Sequence, residues 1–290
     1  MEESASRIRM GLPKGRMQDG VLDLLRQAGI PVRIDARGYR PAVGWDRAEA
    51  KMLKPQNIVE MLGAGSRDVG FAGADWVAEL DVPLEDLLDT GLDPVRLVAA
   101  APATLLARGE LPRDRELVVA SEYERLARRW IATRGLRARF VRSYGATEAF
   151  PPEDADCIVD NTATGSTLQA NGLVVLDELM RSSTHLYASP RSLEDPGRRR
   201  AIEDLVLLLK SVLEARRRVV LELNVAADRL EAVVGLLPAM REPTVSPLHG
   251  GGGYAVKVAV RREELPGLIP RVKAAGGTDL LVTAPSQIVA

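Results

Sequence analysis

The chain has 290 residues, 46% of which are apolar, and a formal net charge of −1. This length exceeds that of one ordinary core and predicts two or three domains. The balanced charge excludes a general attraction to nucleic acid or membranes. The only cysteine, Cys157, excludes a disulfide framework and is expected to be a buried structural thiol. No apolar run approaches the ~18 residues of a membrane span, so we expect a cytoplasmic protein.

Short apolar runs alternate with helical patterns over the first two thirds of the chain. A first strand is expected at 7–13, followed by an amphipathic helix that ends at Gly29. Further strands are expected at 67–75, 95–102, 116–121, 138–145, 156–160 and 185–189, and a further helix at 122–135. Strands that alternate with helices predict a parallel or mixed α/β sheet.

The pattern changes after residue 195. Apolar residues at helical spacing predict one long helix over 196–217. A β-α-β-β-α-β order follows, with strands at 218–225, 243–248, 254–260 and 279–285 and with helices at 227–237 and from Leu265 to Val272. That order predicts a ferredoxin-like module, whose sheet has a face that could pair with another copy.

The stretch "DCIVDNTATGSTL" (156–168) is a candidate anion site. The strand is expected to end at Asp160, and a loop over 161–167 that contains Gly165 should lead into a helix. Free N–H groups at a helix start, together with nearby hydroxyls, bind phosphate, although an ordinary helix cap is the alternative interpretation. Asp160 would repel a phosphate, so it fits better beside ribose hydroxyls or a magnesium ion.

Four other strand-to-loop junctions carry small or charged residues. They are "GLPKGRM" (11–17), "KPQNI" (54–58) with Pro55 at the first position of a helix, "GFAGADW" (70–76) and "SYGATEAF" (143–150). Each alone fits a solvated turn or a helix cap, but ligands of open α/β sheets bind at the carboxyl ends of strands. The junctions together therefore predict one polar cleft. The sequence shows no pattern of a metal cluster or of a nucleophile with its base, so a protein nucleophile is not expected.

Five stretches, in this order along the chain, resemble the ATP phosphoribosyltransferase family. They are "GLPKGRM", "GFAGADWVAEL", "SEYERLARRW", residues 156–189 and "LLPAMREPTVSPL". The resemblance covers nearly the whole chain, and 156–189 is its most specific part. The last stretch resembles the regulatory domain of the family's long form.

The resemblance implies a catalytic part of two α/β lobes with the topology of type II periplasmic-binding proteins. Lobe I would comprise 1–95 and 184–212, and lobe II would comprise 96–183 with the phosphoribosyl-binding loop. The active site would lie between the lobes. The implied reaction joins N1 of the adenine of ATP to C1 of phosphoribosyl pyrophosphate and releases pyrophosphate, as the first step of histidine biosynthesis. Mg2+ would neutralise the leaving group.

The resemblance also implies roles at the strand ends. Asp160, Lys14 and Arg16 are the candidate catalytic residues. The residues expected to bind phosphoribosyl pyrophosphate are Asp160, Thr162, Ala163, Thr164, Gly165, Ser166, Thr167 and Leu168. Those expected to bind the nucleotide are Lys14, Gly15, Lys54, Gly73, Asp75, Gly145, Ala146 and Glu148. Lys54 stands where many relatives carry arginine, which weakens any bidentate phosphate contact there. No metal ligands are assigned.

Residues 213–290 would form a ferredoxin-like, ACT-like regulatory domain that binds histidine as a feedback inhibitor. Thr244, Ser246 and Leu248 are the expected neighbours of that effector. Family members of this length are dimers that associate into hexamers, so a homo-oligomer is expected.

Three alternatives stay open at this point. A non-catalytic ligand-binding protein of similar two-lobe fold is one, although periplasmic receptors carry a signal peptide that this sequence does not show. A different phosphoribosyltransferase would show a pair of acidic residues before its T-G-x-T loop, whereas Asp160 stands alone with Asp156 further back. A catalytically inactive regulatory paralogue is disfavoured by the intact loop from Thr164 to Thr167.

Overall fold

The computed structural model describes residues 7–34, 38–107, 109–240 and 242–289. The chain divides into two compact units, Met1–Asp204 and Leu205–Ala290. Within the described ranges, every helix is too short or too polar to cross a membrane.

The first unit alternates strands with helices. Its strands are β1 (Ile8–Pro13), β2 (Val32–Arg33), β3 (Ala42–Val43), β4 (Ala48–Leu53), β5 (Val69–Gly73), β6 (Glu85–Pro102), β7 (Leu117–Ser121), β8 (Ala138–Arg142), β9 (Cys157–Thr162) and β10 (Leu173–Ala188). Its helices are α1 (Gln18–Gln27), α2 (Pro55–Gly63), α3 (Ala74–Leu80), α4 (Glu124–Thr133), α5 (Ser166–Ala170) and α6 (Pro190–Glu194), and the boundary between the units falls within α7 (Pro196–Arg217). The expected mixed α/β class is confirmed.

A mixed sheet, eight-stranded over the described residues, has the order β4-β1-β5-β10-β6-β9-β7-β8. β4, β1 and β5 are parallel and form the first trio, and β9, β7 and β8 are parallel and form the second trio. β10 and β6 lie between the trios and pair antiparallel with each other and with their neighbours. β2 and β3 pair separately.

The long strands β6 and β10 make the carboxyl ends of the two trios face each other. β5 is antiparallel to β10, and its last residue, Gly73, pairs with Thr184. β9 is antiparallel to β6, and its last residue, Thr162, pairs with Arg96. Both ends therefore point toward the middle of the long pair. The loops that follow the strands meet there, which is where open α/β sheets bind ligands.

The pairing of β6 with β10 is irregular near this meeting point. Its register shifts between Ser182 and Thr184, between Thr184 and His185, and between Leu186 and Tyr187. Such irregularities bend a strand and increase its local twist.

The sequence underestimates both long strands. It predicts strands only at 95–102 and 185–189, whereas β6 begins at Glu85 and β10 begins at Leu173. The early part of β6 contains Asp, Gly and Pro, which are depleted in strands, and in β10 the short apolar run at 173–176 is followed by Asp177, Glu178 and Arg181. Pairing between the two strands satisfies their backbone groups and overrides those local preferences.

Several other boundaries also differ from expectation. β4 is not predicted, because its Ala, Glu and Lys residues have a low strand preference. β8 ends at Arg142 rather than at 145, and α4 spans Glu124–Thr133 rather than 122–135. The buried structural role expected for Cys157 is confirmed, since the thiol lies in the core of the second trio and burial raises its pKa to about 12.

Asp68, which precedes β5, is a fully buried carboxylate that joins several elements of the first unit. Its oxygens accept hydrogen bonds from the backbone N–H and the guanidinium of Arg9 at 2.7–2.9 Å. They also accept bonds from Ser192 Oγ on α6 at 2.8 Å and from Arg198 Nη1 on α7 at 3.2 Å. Burial by itself would raise the pKa of Asp68, but these donors hold the pKa below its ordinary value.

Asp68→Asn is expected to lower the free energy of unfolding by about 3 kcal/mol, because it leaves Arg9 beside an uncharged partner in a buried site. Because the pKa of the carboxyl is depressed in the fold, this stability is present at neutral pH and is lost as the pH falls through the folded pKa. Urea unfolding measures both effects. Asp23→Asn is the control, since its pair with Arg26 is exposed, and it should change stability by less than about 0.5 kcal/mol. Equal losses in the two variants would contradict this account.

The second unit has the expected β-α-β-β-α-β order. Its elements are β11 (Arg218–Val225), α8 (Leu230–Val234), β12 (Thr244–Pro247), β13 (Tyr254–Arg261), α9 (Leu265–Ala274) and β14 (Gly277–Thr283). The strands form an antiparallel sheet in the order β12-β13-β11-β14. Alternate residues of β11 join apolar residues of α8 and α9 in one buried cluster. The helix expected over 227–237 is shorter, because a 3-10 turn precedes α8 and Gly235 and Pro238 follow it.

Candidate active site

Two neighbouring cavities lie where the carboxyl ends of the trios face each other. The first, which we name the strand-end cavity, has a volume of about 240 Å³, and its walls include Lys14, Arg16, Gly73, Asp75, Asp93 and Ser182. The second, the loop cavity, has a volume of about 320 Å³, and its walls include Glu148, Asp160, Thr162, Ala163, Thr164, Thr167 and Leu168. Arg16 and Asn161 line both cavities, so the two are adjacent parts of one cleft.

The loop after β9 is shorter than the sequence predicts. β9 continues through Thr162 and α5 begins at Ser166, so the loop is 163–165 rather than 161–167. Asn161 and Thr162 extend the strand because they pair with β6. Their polar side chains conceal this pairing in the sequence.

The short loop is shaped by its own hydroxyl groups. The backbone N–H of Gly165 donates to Thr162 Oγ1 at 3.0 Å, and Thr164 Oγ1 lies 2.9 Å from Ser166 Oγ. Gly165 has a φ of +83°, a left-handed conformation that glycine adopts without strain. The Thr162 hydroxyl is buried and holds the turn, whereas Thr164, Ser166 and Thr167 are exposed. The N–H of Ser166 donates to Thr164 Oγ1 at 3.4 Å. The loop therefore offers hydroxyls beside the N–H groups of Thr167 and Leu168, which lie in the first turn of α5 and have no partner inside the helix.

Asp160 is a half-buried carboxylate that lines the loop cavity. Its Oδ1 accepts the backbone N–H of Asn161 at 2.7 Å. Burial raises the pKa of Asp160 to about 6, and the negative charges of Glu148 and Glu122 act in the same direction. The carboxylate is thus ionised at neutral pH but poorly compensated. A ligand that brings hydroxyl donors or a cation would stabilise it.

A tight turn places Glu148 on the wall of the loop cavity. Gly145 has a φ of +104° and Ala146 has a φ of +49°, and the latter is unusual for a residue with a side chain. Thr147 anchors the turn, since its buried Oγ1 lies 2.8 Å from Ser143 Oγ. Of the three predicted residues here, Glu148 lines the cavity, and the two turn residues lie outside both linings.

The predicted cations differ in their surroundings. Lys14 Nζ lies 3.7 Å above the centroid of the Tyr39 ring, a cation–π contact. Arg16 is exposed and forms no hydrogen bond or ion pair with any other described residue. Lys54 is the exposed N-cap residue of α2, and Pro55 occupies the first turn of that helix as expected. Gly15, with a φ of +80°, and Lys54 lie outside both linings.

Asp75 is buried at the start of α3, and both of its carboxylate oxygens are occupied. Oδ1 accepts a hydrogen bond from Ser182 Oγ at 2.7 Å, and Oδ2 accepts one from Tyr123 Oη at 2.6 Å. Gly73 permits this packing, since a Cβ there would lie 2.1 Å from Asp75 Oδ1. Asp75 and Gly73 therefore shape the strand-end cavity from its wall.

Sequence reasoning missed several residues of the cleft walls, among them Asp93, Asn161 and Ser182, and it also missed Tyr123, which is buried behind them. Asp93 has a φ of +48°, lines the strand-end cavity, and accepts a hydrogen bond from Thr184 Oγ1 at 3.1 Å. The positive φ marks it as a strained residue at the cleft, but no local signal in "GLDPV" shows that the chain bends there. Among the described residues, no group of three or more His, Cys, Asp or Glu side chains could hold a metal ion.

Two further cavities lie beside Trp130, away from this cleft. One, of about 510 Å³, is lined mainly by α4 and β10, and the other, of about 300 Å³, lies near Leu106. Neither is lined by a residue that the sequence predicts to be functional. Size alone therefore does not identify the reactive site, and the chemistry of the lining favours the cleft at the strand ends.

Comparisons with known proteins agree on one family. The family model of HisG, ATP phosphoribosyltransferase, matches residues 54–211, and the model of the HisG C-terminal domain matches residues 215–285. The ATP phosphoribosyltransferase of Chlorobium luteolum is 36% identical over 282 residues, 95% of each chain. That of Pelotomaculum thermopropionicum is 34% identical over 290 residues, 98% of this chain and 99% of its own.

The fold agrees with the sequence matches. A solved structure described as an ATP phosphoribosyl transferase (HisG:HisZ) complex from Thermotoga maritima superposes with a TM-score of 0.64 at 26% identity. The match covers 71% of this chain and 98% of that one. The chain belongs to the ATP phosphoribosyltransferase family, which catalyses the first step of histidine biosynthesis.

Proposed function

We propose that phosphoribosyl pyrophosphate binds in the loop cavity, that ATP binds in the strand-end cavity, and that the two react beside Arg16. The observation that supports this placement is the adjacency of the two cavities. One holds Asp160 and the hydroxylated turn, the other holds Lys14, and Arg16 lines both. A transferase must hold its donor and acceptor within bonding distance at the same time.

The 5-phosphate of the donor would sit on the turn between β9 and α5. Free N–H groups of the helix start and the exposed hydroxyls of Thr164, Ser166 and Thr167 would donate to its oxygens. Ala163 and Leu168 line the same cavity without polar side chains, and buried Thr162 keeps the turn in shape. The residues of this loop would therefore have different roles, and only some of them would contact the phosphate.

Gly165→Ala tests the turn directly. The new side chain would meet open space, but the φ of +83° is strained for alanine by about 1–2 kcal/mol. We expect the turn to relax and the KM for phosphoribosyl pyrophosphate to rise about tenfold, with a smaller change in the KM for ATP. Gly172→Ala is the control, because it also has a positive φ, +68°, and open space but lies outside both linings. The turn would not be the phosphate site if the two variants had the same effect on that KM.

Asp160 would accept hydrogen bonds from the ribose hydroxyls. Burial raises its pKa, and hydroxyl donors would stabilise the carboxylate on binding. In the transition state the ribose becomes more electron-poor, and a carboxylate close to the ring then interacts more strongly than in the ground state.

The nucleotide would lie between the ends of β1, β4 and β5 and the turn after β8. Lys14 and Arg16 would face its phosphates or the departing pyrophosphate, and Lys54 would add charge nearby. Gly73 lines the strand-end cavity and would let the backbone approach the ligand, whereas Gly15, Gly145 and Ala146 would act through the shape of their turns. Asp75 would act by shaping the wall, because both of its oxygens are already bonded. Glu148 lines the loop cavity and would face the nucleotide from the second trio where the two cavities adjoin.

Mg2+ fits this site as a partner of the substrate. Mg2+ usually keeps waters and binds through one or two carboxylates together with substrate phosphates, and the loop cavity offers the oxygens of Asp160 and Glu148. We infer that these two residues would hold the ion with the diphosphate. Its chemical contribution would be to neutralise the leaving pyrophosphate.

The residues of the chain would then complete the transfer. The loop and Asp160 hold the ribose so that C1 faces the strand-end cavity, and the adenine N1 approaches from there as the bond to pyrophosphate breaks. Lys14 and Arg16 stabilise the charge that develops on the departing group. We expect no covalent bond between a protein atom and the substrate.

Turnover in the purified protein tests this function. Protein, ATP, phosphoribosyl pyrophosphate and Mg2+ are mixed, and formation of phosphoribosyl-ATP is followed by absorbance. Turnover that requires both substrates is the expected result. A protein that folds and binds either substrate without forming product would contradict the proposal and would favour a regulatory paralogue.

We further propose that the catalytic part has two lobes of type II periplasmic-binding topology, 1–95 with 184–212 and 96–183. Support comes from the first trio pairing with β10 at 184–188 and the second trio pairing with β6 at 96–100. Residues 213–290 would be a ferredoxin-like, ACT-like regulatory domain, as their strand order suggests. We expect a homo-oligomer, dimer to hexamer, and the cytoplasmic location stays a prediction.

Histidine would be the effector of the regulatory domain. Thr244 and Ser246 lie exposed on the edge strand β12, and Leu248 closes the following turn by donating its backbone N–H to Gly253 O at 2.9 Å. We expect histidine to inhibit the full-length enzyme, and we expect Ser246→Tyr to relieve inhibition at least tenfold without changing basal turnover. Titration of the rate with histidine measures both. Inhibition of equal strength in the variant would remove these residues from the effector site.

A further inference from the structure

A chain of hydrogen bonds connects the walls of the two cavities. Ser182 Oγ and Tyr123 Oη donate to the two oxygens of Asp75 at 2.7 and 2.6 Å. Asn161 Nδ2 donates to Tyr123 Oη at 2.8 Å, and the backbone N–H of Asn161 donates to Asp160 Oδ1 at 2.7 Å. The chain thus begins at a carboxylate of the strand-end cavity and ends at a carboxylate of the loop cavity. Asp75 belongs to the first-trio side of the cleft, and Asn161 belongs to the second.

The hydroxyl of Tyr123 is the middle of this chain, and its hydrogen-bond roles are fixed. A phenol has one proton to donate. Because the Tyr123 hydroxyl donates it in the hydrogen bond to Asp75, the phenol oxygen accepts the hydrogen bond from Asn161. Burial and the neighbouring charge of Asp75 raise the pKa of Tyr123, so the phenol stays protonated. The direction of each bond is therefore determined.

The position of Tyr123 is fixed as well. Its side chain is fully buried, and its ring stacks on Trp76 with a centroid distance of 4.5 Å and an interplanar angle of 25°. Its backbone N–H donates to Ser121 Oγ at 2.8 Å. A displacement of Asp75 must therefore be accompanied by a displacement of Tyr123 and Asn161 or by a broken hydrogen bond.

We propose that Tyr123 and Asn161 are positioning residues that couple the two substrate cavities, so that a nucleotide beside Asp75 changes how Asp160 receives the phosphoribosyl donor. The inference rests on the substrate placement proposed above. Asn161 suits this role because it lines both cavities and uses its side chain for one partner and its backbone for the other. Two sites are coupled when a ligand in one of them changes the free energy of binding at the other, and a chain of hydrogen bonds between their walls can transmit that change.

The test is steady-state kinetics with both substrates varied. In the wild type, raising ATP from far below to far above its KM should lower the apparent KM for phosphoribosyl pyrophosphate about fivefold or more. We call this ratio of apparent KM values the coupling factor. Tyr123→Phe removes only the hydroxyl and should bring the coupling factor close to one, with kcat lowered about tenfold. Asn161→Ala breaks the same chain and should do likewise. The double variant should be no worse than the poorer single variant, because either change already interrupts the chain.

Tyr187→Phe is the matched control. Tyr187 is also a buried tyrosine of the first unit, and it lies outside both cavity linings, so its removal should leave the coupling factor unchanged. Thermal unfolding would show whether Tyr123→Phe folds. If it does not, Asn161→Ala tests the proposal instead, because Asn161 is half-buried and its removal breaks the same chain of hydrogen bonds.

The outcomes separate this inference from the proposed function. A wild type without turnover would contradict the function itself. A wild type that turns over but shows no coupling, a coupling factor unchanged in both single variants, or additive losses in the double variant would overturn the inference alone. Non-additive losses together with a lost coupling factor would support it, since a merely structural weakening would lower stability without changing how one substrate affects the other.

Discussion

Asp160→Asn is expected to lower kcat/KM on the order of 100-fold while making the protein more stable. The amide keeps an oxygen for the backbone N–H of Asn161 but loses the charge that we propose to act on the ribose in the transition state. Stability should rise because the pKa of the carboxyl is about 6 in the fold against an ordinary value of 3.8. Ionising it at pH 7.5 therefore destabilises the native state by about 3 kcal/mol.

The pH dependence of this effect has a definite sign. Because the pKa of Asp160 is raised in the fold, its contribution to stability is fully present below about pH 4 and is lost as the pH rises through 6. The stability gain of the asparagine variant should accordingly shrink between pH 7 and pH 4. In the wild type, kcat/KM should fall as the pH drops below about 6. The residual kcat/KM of the variant should not show this fall.

Asp154→Asn is the control for these measurements, because Asp154 is an exposed aspartate shortly before β9. It should change neither kinetics nor stability. A variant at Asp160 that loses stability, or that keeps wild-type kcat/KM, would refute the role given to this carboxylate. Chemical unfolding at several pH values and pH–rate profiles supply the data.

Arg16→Ala should show the opposite combination: a large loss of activity with almost no change in stability. Arg16 lines both cavities and forms no hydrogen bond or ion pair with another described residue, so its removal leaves no unpaired partner. Charge-assisted bonds to phosphate oxygens contribute about 1.5–3 kcal/mol. We therefore expect kcat/KM to fall about 10- to 100-fold for both substrates, with a recovery in Arg16→Lys that is only partial, since lysine cannot bind two oxygens in a fork.

Arg137→Ala, at an exposed arginine between α4 and β8, controls for the change in net charge. Its kinetics should match the wild type at the ionic strength of the assay. A loss confined to one substrate in Arg16→Ala would mean that this arginine serves one cavity only, and a large drop in unfolding temperature would mean that it is structural.

The sequence predicts the parts of the fold in which local preference and tertiary structure agree. The helix over 196–217 and the strand over 218–225 are found at the predicted bounds, because their apolar residues recur with the period of the element. The long strands are underestimated because charged residues, Gly91 and Pro94 interrupt them, and only pairing across the sheet makes them strands. Such pairing between distant segments leaves no local signal.

The sequence likewise predicts some features of the candidate site and not others. Hydroxyls and glycine after a strand are visible in "DNTATGST", and so are the cations after β1. The link from Asn161 through Tyr123 to Asp75 is not visible, because it joins segments 38 and 48 residues apart and each side chain alone resembles an ordinary polar or core residue. The raised pKa of Asp160 likewise depends on burial that only the folded chain creates.

The register irregularities of the long strand pair have a mechanical consequence. The two trios are connected within the sheet by a ribbon of only two strands, and its shifts between Ser182 and Tyr187 lie beside the strand-end cavity. Irregular pairing holds a ribbon less firmly than the regular ladders of the trios it connects. We therefore expect the sheet to bend most easily there, and such bending would change the width of the cleft while the packing inside each trio stays intact.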